Sequence, residues 1–141
     1  SLLMPAGISV ELLRPLKRFL LPWLRYKFNA SDANFQRLMQ PLMGDSWPQL
    51  AAFYQQVFAQ LTSVNQLPPG PFTPAQLADW QAPVQLVMAQ HDAYFDADKM
   101  SVAATRLLPH LVETVVLDDT HIPGPDSQRQ LVVALRHFLL G

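Results

Sequence analysis

The pattern of apolar and polar positions changes once along the chain, between a helical part and a strand-rich part. From Ile8 to Asn65, apolar residues recur at three- and four-residue spacing, as on one face of an amphipathic helix. After Pro83, short runs that are almost wholly apolar alternate with helix-spaced segments. A strand, helix, strand, helix order predicts parallel strands joined by right-handed crossovers. The pattern therefore predicts one α/β unit preceded by a helical segment.

Local capping and breaking residues predict where these elements begin and end. Pro15 and Pro22 are expected to start, kink or divide the first helix, and Ser31 to cap the second. A proline-rich stretch, 65–74, is typical of a stiff, extended linker. The predicted elements are an initial strand within 2–7, helices to about Met43, about 48–61, Pro74–Asp79, Ala97–Leu108 and Ser127–Leu140, and strands Val84–Ala89 and Thr114–Leu117.

Composition narrows the classes of chemistry. The 141 residues are 50% hydrophobic and 15% charged, which suits one modest domain with a buried core. With no cysteine, the chain has no disulfide, thiolate metal site or cysteine nucleophile. Five glycines against 13 prolines is an unusual balance, because enzymes commonly use glycine where the backbone turns tightly.

Charge gives little reason to expect a nucleic-acid partner, since the net charge is −1. The segment 11–27 is locally basic, with five basic residues and one acidic residue, so an interfacial helix on a membrane surface is an open, less favoured interpretation. No apolar run reaches the length of a membrane span, and residues 1–30 do not resemble a signal peptide. We therefore expect a cytoplasmic location.

Two loops follow the predicted strands of the α/β unit and contain the candidate chemistry. In open α/β sheets, ligands bind beyond the carboxyl ends of the strands. Asp92 follows the first strand of this unit and His121 follows the next, so the two side chains are expected to meet. A carboxylate there would hold the imidazole tautomer and leave its other nitrogen as a general base. Two solvated loop residues are an equally open interpretation.

Metal binding is a weaker alternative at the same loops. Asp92, Asp96 and Asp98 resemble the start of a calcium loop, but the central glycine and terminal glutamate are missing. Asp118, Asp119 and His121 are a second conceivable ligand set. We predict neither a metal nor a cofactor.

Four segments, in order, resemble the α/β-hydrolase family. Residues 82–92, Ala-Pro-Val-Gln-Leu-Val-Met-Ala-Gln-His-Asp, resemble its P-strand-G-x-x-D segment. Thr120-His121, followed by a proline-containing loop and a helix ending in Phe-Leu-Leu, resembles the terminal G-H…F-L segment. Residues 2–8 resemble the LLxPAGI sixth strand before a helical cap, and residues 72–77 the F-[ST]-x-x-x-L return into the core.

The resemblance implies a partial α/β-hydrolase fold: about three parallel strands with flanking helices, plus a cap. It divides the chain into a core-strand remnant (1–7), a helical cap or lid (8–70) and a C-terminal α/β portion (71–141). Carried over residue by residue, Asp92 is the catalytic acid, His121 the general base and Asp96 the fallback acid. Ala89 and Thr120 depart from the family, which often has glycine there.

The family's nucleophile has no counterpart in these residues. Neither a G-x-S-x-G elbow nor an HGGG loop occurs, and Ser46, after Gly44-Asp45, is the nearest imitation. The resemblance implies that the serine precedes residue 1, that the glycine-dependent elbow lies there too, and that this chain alone is inactive. A small-molecule ester or related acyl compound is the expected substrate of the parent protein.

Several apolar side chains are candidates for the substrate pocket under the cap. They are Phe19, Trp23, Phe53, Tyr54, Phe58, Tyr94 and Ile122. The simpler alternative for most of them is that they only pack the helices together. A second functional class also stays open: a non-catalytic module that pairs with itself or with the missing N-terminal half through an exposed strand edge.

Overall fold

A computed structural model describes residues 1–9, 11, 13–44, 48–60 and 70–141. The described elements are β1 Leu2–Leu3, α1 Leu13–Phe28, α2 Asp32–Met43, α3 Pro48–Gln60, α4 Pro74–Leu77, β2 Val84–Ala89, α5 Ala97–Leu107, β3 Leu111–Leu117 and α6 Pro125–Leu140. Ser46 and the first half of the predicted linker, 65–69, lie outside the described residues.

The three strands form one parallel sheet in the order β1-β2-β3, which confirms the predicted partial α/β fold. All six residues of β2 are buried, which explains why the strand is an almost unbroken apolar run. The exception is Gln85, whose side chain bonds to Ser1, Glu113 and the Ala134 carbonyl. These bonds satisfy the polar groups of a side chain at the centre of the sheet.

Strand β3 begins at Leu111, earlier than the predicted Thr114. It lies at the edge of the described sheet, and most of its residues alternate between partly buried and exposed. Glu113, which makes this half of the strand look polar, is partly buried and accepts a hydrogen bond from Gln85. The apolar run therefore marks only part of the strand.

One face of the sheet packs on α5 and α4. Leu86 and Met88 of β2 contact Met100 and Ala104 of α5, and Leu77 of α4 completes this cluster. The small side chain of Ala104, fully buried, allows the helix to approach the sheet. This packing fixes where β2 ends relative to the start of α5.

The helices of the 8–70 segment pack around Phe35, Met39 and Met43 of α2. Ser31 caps α2, as predicted, by accepting a hydrogen bond from the Asn34 backbone N–H at 3.4 Å. Of the alternatives start, kink or divide, division at Pro22 does not occur, because α1 is continuous through it. Pro15 lies in the first turn of α1, where its missing N–H costs no helical hydrogen bond.

Within the part of the chain that the structure describes, no helix is both long and apolar enough to cross a membrane. Helix α1 contains no fully buried residue, and several of its apolar side chains are exposed. Its contacts with the rest of the molecule are therefore made by partly buried side chains.

Candidate active site

Asp92 lies in the turn that follows β2, at the carboxyl end of the sheet. It is 2% exposed, so its charge is almost wholly removed from water. Its Oδ1 accepts hydrogen bonds from the backbone N–H groups of Tyr94, at 2.7 Å, and Phe95, at 3.1 Å. Two amide donors offset much of the cost of burying a carboxylate and fix its orientation.

His121 lies in the loop after β3 and meets the other oxygen of the same carboxylate. Its Nδ1 is 2.8 Å from Asp92 Oδ2. Because an ionised carboxylate can only accept, this contact is a hydrogen bond in the tautomer that carries its proton on Nδ1. Nε2 has no hydrogen-bond partner among the described residues, and the side chain is 27% exposed. This geometry is one in which an imidazole can act as a general base and a carboxylate can orient it.

Asp119 shapes the loop that carries His121. Its carboxylate accepts from the backbone N–H groups of Thr120, at 2.7 Å, and Gly124, at 2.8 Å. Burial acts to raise the pKa of Asp119, but hydrogen bonds from Ser127, Thr120 and Gly124 outweigh it and lower the pKa below its ordinary value. The sequence placed Asp119 only in a conceivable metal set, although an Asp shortly before a Gly-Pro helix start is a recognisable loop-capping signal.

The His121 loop is also tied to the helical segment. The Ile122 backbone N–H donates to the Leu42 carbonyl near the end of α2, at 2.7 Å. This bond satisfies one of the last carbonyls of a helix, which have no partner within the helix itself. The position of the imidazole is thus coupled to the packing of α2.

The two departures from glycine do not strain the loops. Met4 is the one residue other than glycine with a positive φ in the described part of the chain, so neither Ala89 nor Thr120 occupies the left-handed region. Thr120 instead donates its N–H to Asp119 and places its hydroxyl within 3.4 Å of the Ile122 carbonyl. The turn at Thr120 is thus held by hydrogen bonds and needs no glycine.

An aromatic wall connects His121 to the helical segment. The Tyr94 ring lies edge-on to the imidazole, with centroids 4.9 Å apart, and stacks on Phe19 of α1 at 5.3 Å. Burial raises the pKa of Tyr94, and the nearby charge of Asp92 raises it further. Tyr94 therefore stays neutral and forms an apolar surface beside the imidazole.

Tyr94 also lines a cleft of about 600 Å³ between α1, α2 and α3. This volume lies within the range of small-molecule sites, roughly 300–1,000 Å³. Of the predicted pocket residues, Phe19, Trp23, Phe58 and Tyr94 line the cleft. Tyr54 and Ile122 pack against the Phe35 cluster instead, and Phe53 contacts Tyr54 while remaining mostly exposed.

Asp96, the fallback acid, has other partners. Its Oδ1 accepts from the Lys99 backbone N–H, capping α5, and its Oδ2 pairs with Arg14 of α1 at 2.7 Å. The Lys99 amide and the Arg14 charge, partly opposed by burial, lower the pKa of Asp96. The structure thus brings Asp92, and not Asp96, to the imidazole. Arg14 was not singled out from the sequence, where it is one of several basic residues in 11–27.

The side chains of the second conceivable metal set, Asp118, Asp119 and His121, each have a different partner. Asp118 pairs with His91 at 2.9 Å on the surface, whereas Asp119 holds its own loop and His121 contacts Asp92. Across the described residues, no group of three or more His, Asp or Glu side chains converges as metal ligands do.

Comparisons with known proteins give a fold relationship at low sequence identity. No protein-family profile matches the chain, and no curated protein matches it either. Among solved structures it is similar to a Bacillus subtilis protein classed as a hydrolase, with a TM-score of 0.65 and 18% identity, and to the naproxen esterase (carboxylesterase NP) of Bacillus subtilis, with 0.57 and 19%. Each match covers 86% of this chain, which spans less than half of either neighbour, 45% and 46%. The chain therefore shares the fold of about half of each of these two proteins.

Proposed function

We propose that this chain supplies the acid and the base of a serine α/β-hydrolase that cleaves an ester or a related acyl bond. The observation that carries the proposal is the contact between His121 Nδ1 and the buried Asp92 carboxylate at 2.8 Å. The nucleophilic serine is placed outside these 141 residues, because they contain no G-x-S-x-G elbow. The length of the structural neighbours supports this, since the chain spans 45% and 46% of them.

In the proposed reaction, Nε2 of His121 takes the proton of the serine hydroxyl as the serine oxygen bonds to the acyl carbon. Asp92 stabilises the imidazolium that forms and does not itself take the proton. The imidazolium then protonates the leaving alcohol as the old ester bond breaks. Water, deprotonated by the same nitrogen, releases the acid product and regenerates the serine.

The acyl group is proposed to occupy the cleft between α1, α2 and α3. Tyr94 contacts the imidazole on one side and lines the cleft on the other, so it joins the two. The lining is mainly aliphatic and aromatic, which favours a hydrocarbon over a charged group. In this proposal residues 8–70 form the cap that shapes the substrate site.

Hydrolysis of p-nitrophenyl esters tests the proposal. The 141-residue chain should give no hydrolysis above the His121→Ala background, because it holds no activated nucleophile. The same protein extended to include the region encoded before residue 1 should hydrolyse the ester, and His121→Ala should remove about 10³-fold or more of kcat. Hydrolysis by the 141 residues alone that needs His121, or an extended protein without activity, would contradict the proposal.

A second candidate function, self-association without catalysis, is favoured by exposed apolar side chains around the sheet. Leu3 of β1 and Val112 and Val116 of β3 are exposed. Such residues mark surfaces that another chain or segment can cover. Light scattering separates the candidates: association that grows with concentration supports this function, and a monomer at high concentration argues against it.

A further inference from the structure

Arg14 reaches from α1 to both ends of the turn that holds Asp92. Its Nε is 3.1 Å from the Asp92 carbonyl oxygen and its Nη1 is 2.7 Å from Asp96 Oδ2. Its side chain is 21% exposed, so the guanidinium is largely enclosed between the two elements. A planar guanidinium with fixed N–H directions can hold two such acceptors in one geometry.

Besides the guanidinium bonds and the contact of Asp92 with His121, the other hydrogen bonds that hold the turn from Asp92 to Asp96 among the described residues are short-range. The Asp92 carboxylate accepts the Tyr94 and Phe95 amides within the turn, and Asp96 caps the helix that follows. Among the side chains that the structure describes, Arg14 alone bonds to both ends of this turn. Because the Asp92 carbonyl and carboxylate belong to one residue, fixing the carbonyl limits the rotation that would move Oδ2 away from His121.

A second arginine of α1 supports the same region. Arg18 lies one helical turn after Arg14, on the same face, and its Nη1 is 3.3 Å from the His91 carbonyl oxygen. The consecutive carbonyls of His91 and Asp92, in the turn after β2, thus each accept from α1. This second contact is exposed, so water competes with it more strongly than with the Arg14 contacts.

We propose that Arg14 is a positioning residue, which holds the turn 92–96 so that the Asp92 carboxylate stays against His121. The proposal rests on the proposed function, because it assigns Arg14 a role toward that acid–base pair. It also gives Asp96 a role other than that of the acid: Asp96 is the anchor for Arg14. The geometry of the pair then depends on the docking of α1.

The test uses this 141-residue chain and two signals that a purely structural contact would not change. The first is the Nδ1–H tautomer of His121, read from its ¹⁵N shifts. The second is amide exchange of Tyr94 and Phe95, whose N–H groups bond to Asp92. In Arg14→Met we expect mixed tautomers and amide exchange faster by about tenfold or more.

Lys17→Met is the matched control, since Lys17 is an exposed basic residue of the same helix. It should leave both signals as in the unaltered chain. Arg14→Lys should not restore them, because one ammonium cannot reproduce the two directed N–H groups. Should Arg14→Met fail to fold, Asp96→Asn decides, since asparagine can still cap α5 but pairs with Arg14 less strongly.

The outcomes separate this inference from the proposed function. Suppose that the unaltered chain shows His121 protonated at Nδ1. If Arg14→Met, or Asp96→Asn where it replaces that variant, then changes neither signal, the proposed role of Arg14 is wrong, whereas the Asp92–His121 pair stands. If the unaltered chain shows no Nδ1–H tautomer, the pair itself fails, and the proposed function fails with it.

Discussion

At the scale of single residues, the candidate site depends on how one carboxylate divides its two oxygens. Asp92 Oδ1 is occupied by two backbone amides, which leaves Oδ2 for the imidazole. A carboxylate held only by His121 would be free to rotate. The backbone turn therefore fixes the orientation of the carboxylate that meets His121.

Asp92→Asn tests this division of roles. The backbone amides are expected to keep the asparagine oxygen, so its NH₂ group would face His121 and donate to Nδ1. The imidazole would then carry its proton on Nε2, where it cannot act as a base. In the extended protein we expect kcat to fall by about 10³–10⁴-fold, and in this chain the ¹⁵N shifts should report the other tautomer.

Asp98→Asn is the control for that change, because Asp98 is an exposed residue of the neighbouring helix start. It should leave both kcat and the His121 tautomer as they are. An Asp92→Asn protein with full activity would show that Asp92 is not the acid.

The lowered pKa of Asp119 predicts how stability depends on pH. The folded protein prefers this carboxyl ionised, so its contribution is complete above the unfolded pKa of about 3.9. The contribution is lost as the pH falls through the lower, folded-state pKa. Asp119→Asn should therefore be less stable than the unaltered chain at pH 6, and the difference should shrink below about pH 4.

Urea unfolding of both proteins from pH 6 to pH 3 measures that difference in free energy. A control, Asp118→Asn, changes an exposed neighbour whose partner is a surface histidine. Its effect should be small at pH 6. A constant gap for Asp119→Asn across this range would contradict the assigned role of the carboxylate.

At the scale of elements, the sequence predicted strand β2 and the type of most helices but not their contacts. Val84–Ala89 was predicted with its observed bounds because a strand buried on both faces leaves a continuous apolar run. Strand β3 was predicted too short, because a glutamate such as Glu113 usually indicates a surface position, whereas here it is partly buried. Ion pairs between distant elements, such as that of Arg14 with Asp96, leave no periodic pattern in the sequence. The contact of Arg14 with the turn 92–96 was therefore not predicted.

The helical segment owes its stability to the cluster around Phe35. Phe35 is 1% exposed and contacts Tyr26 and Phe58 edge-on, whereas Phe53 is 58% exposed. Phe35→Ala should lower the free energy of unfolding by about 3–5 kcal/mol, and the matched Phe53→Ala by less than about 1 kcal/mol. Urea denaturation measures both. Equal costs would show that the cluster does not hold the helices together.

The cleft between α1, α2 and α3 predicts a dependence on acyl length. Leu20 lines the cleft, and Leu20→Trp should fill part of it. In the extended protein we expect kcat/KM for long-chain p-nitrophenyl esters to fall about tenfold or more relative to the acetate. Leu21→Trp is the control, since Leu21 is exposed on the same helix and is not among the cleft residues. An equal effect of both changes would place the acyl group elsewhere.

At the scale of the whole molecule, the described sheet carries both residues of the candidate site, but the chain spans less than half of its structural neighbours. Its three strands place Asp92 and His121 after neighbouring strands, so the pair forms within this chain. The positions of Asp92 and His121 after consecutive predicted strands predicted this juxtaposition, and the resemblance at 82–92 and 120–121 pointed to the same two residues. Sequence alone could not assign the cleft residues, since aromatic side chains that line a cleft and those that pack helices share the same helical spacing.

The most direct test of the central claim is labelling with a fluorophosphonate, which reacts with an activated serine. The protein extended to include the region before residue 1 is incubated with the probe, and the modified residue is located by peptide mass spectrometry. We expect one modified serine, N-terminal to these 141 residues, and loss of labelling in His121→Ala. Labelling of a serine within residues 1–141, or labelling that persists without His121, would contradict the central claim.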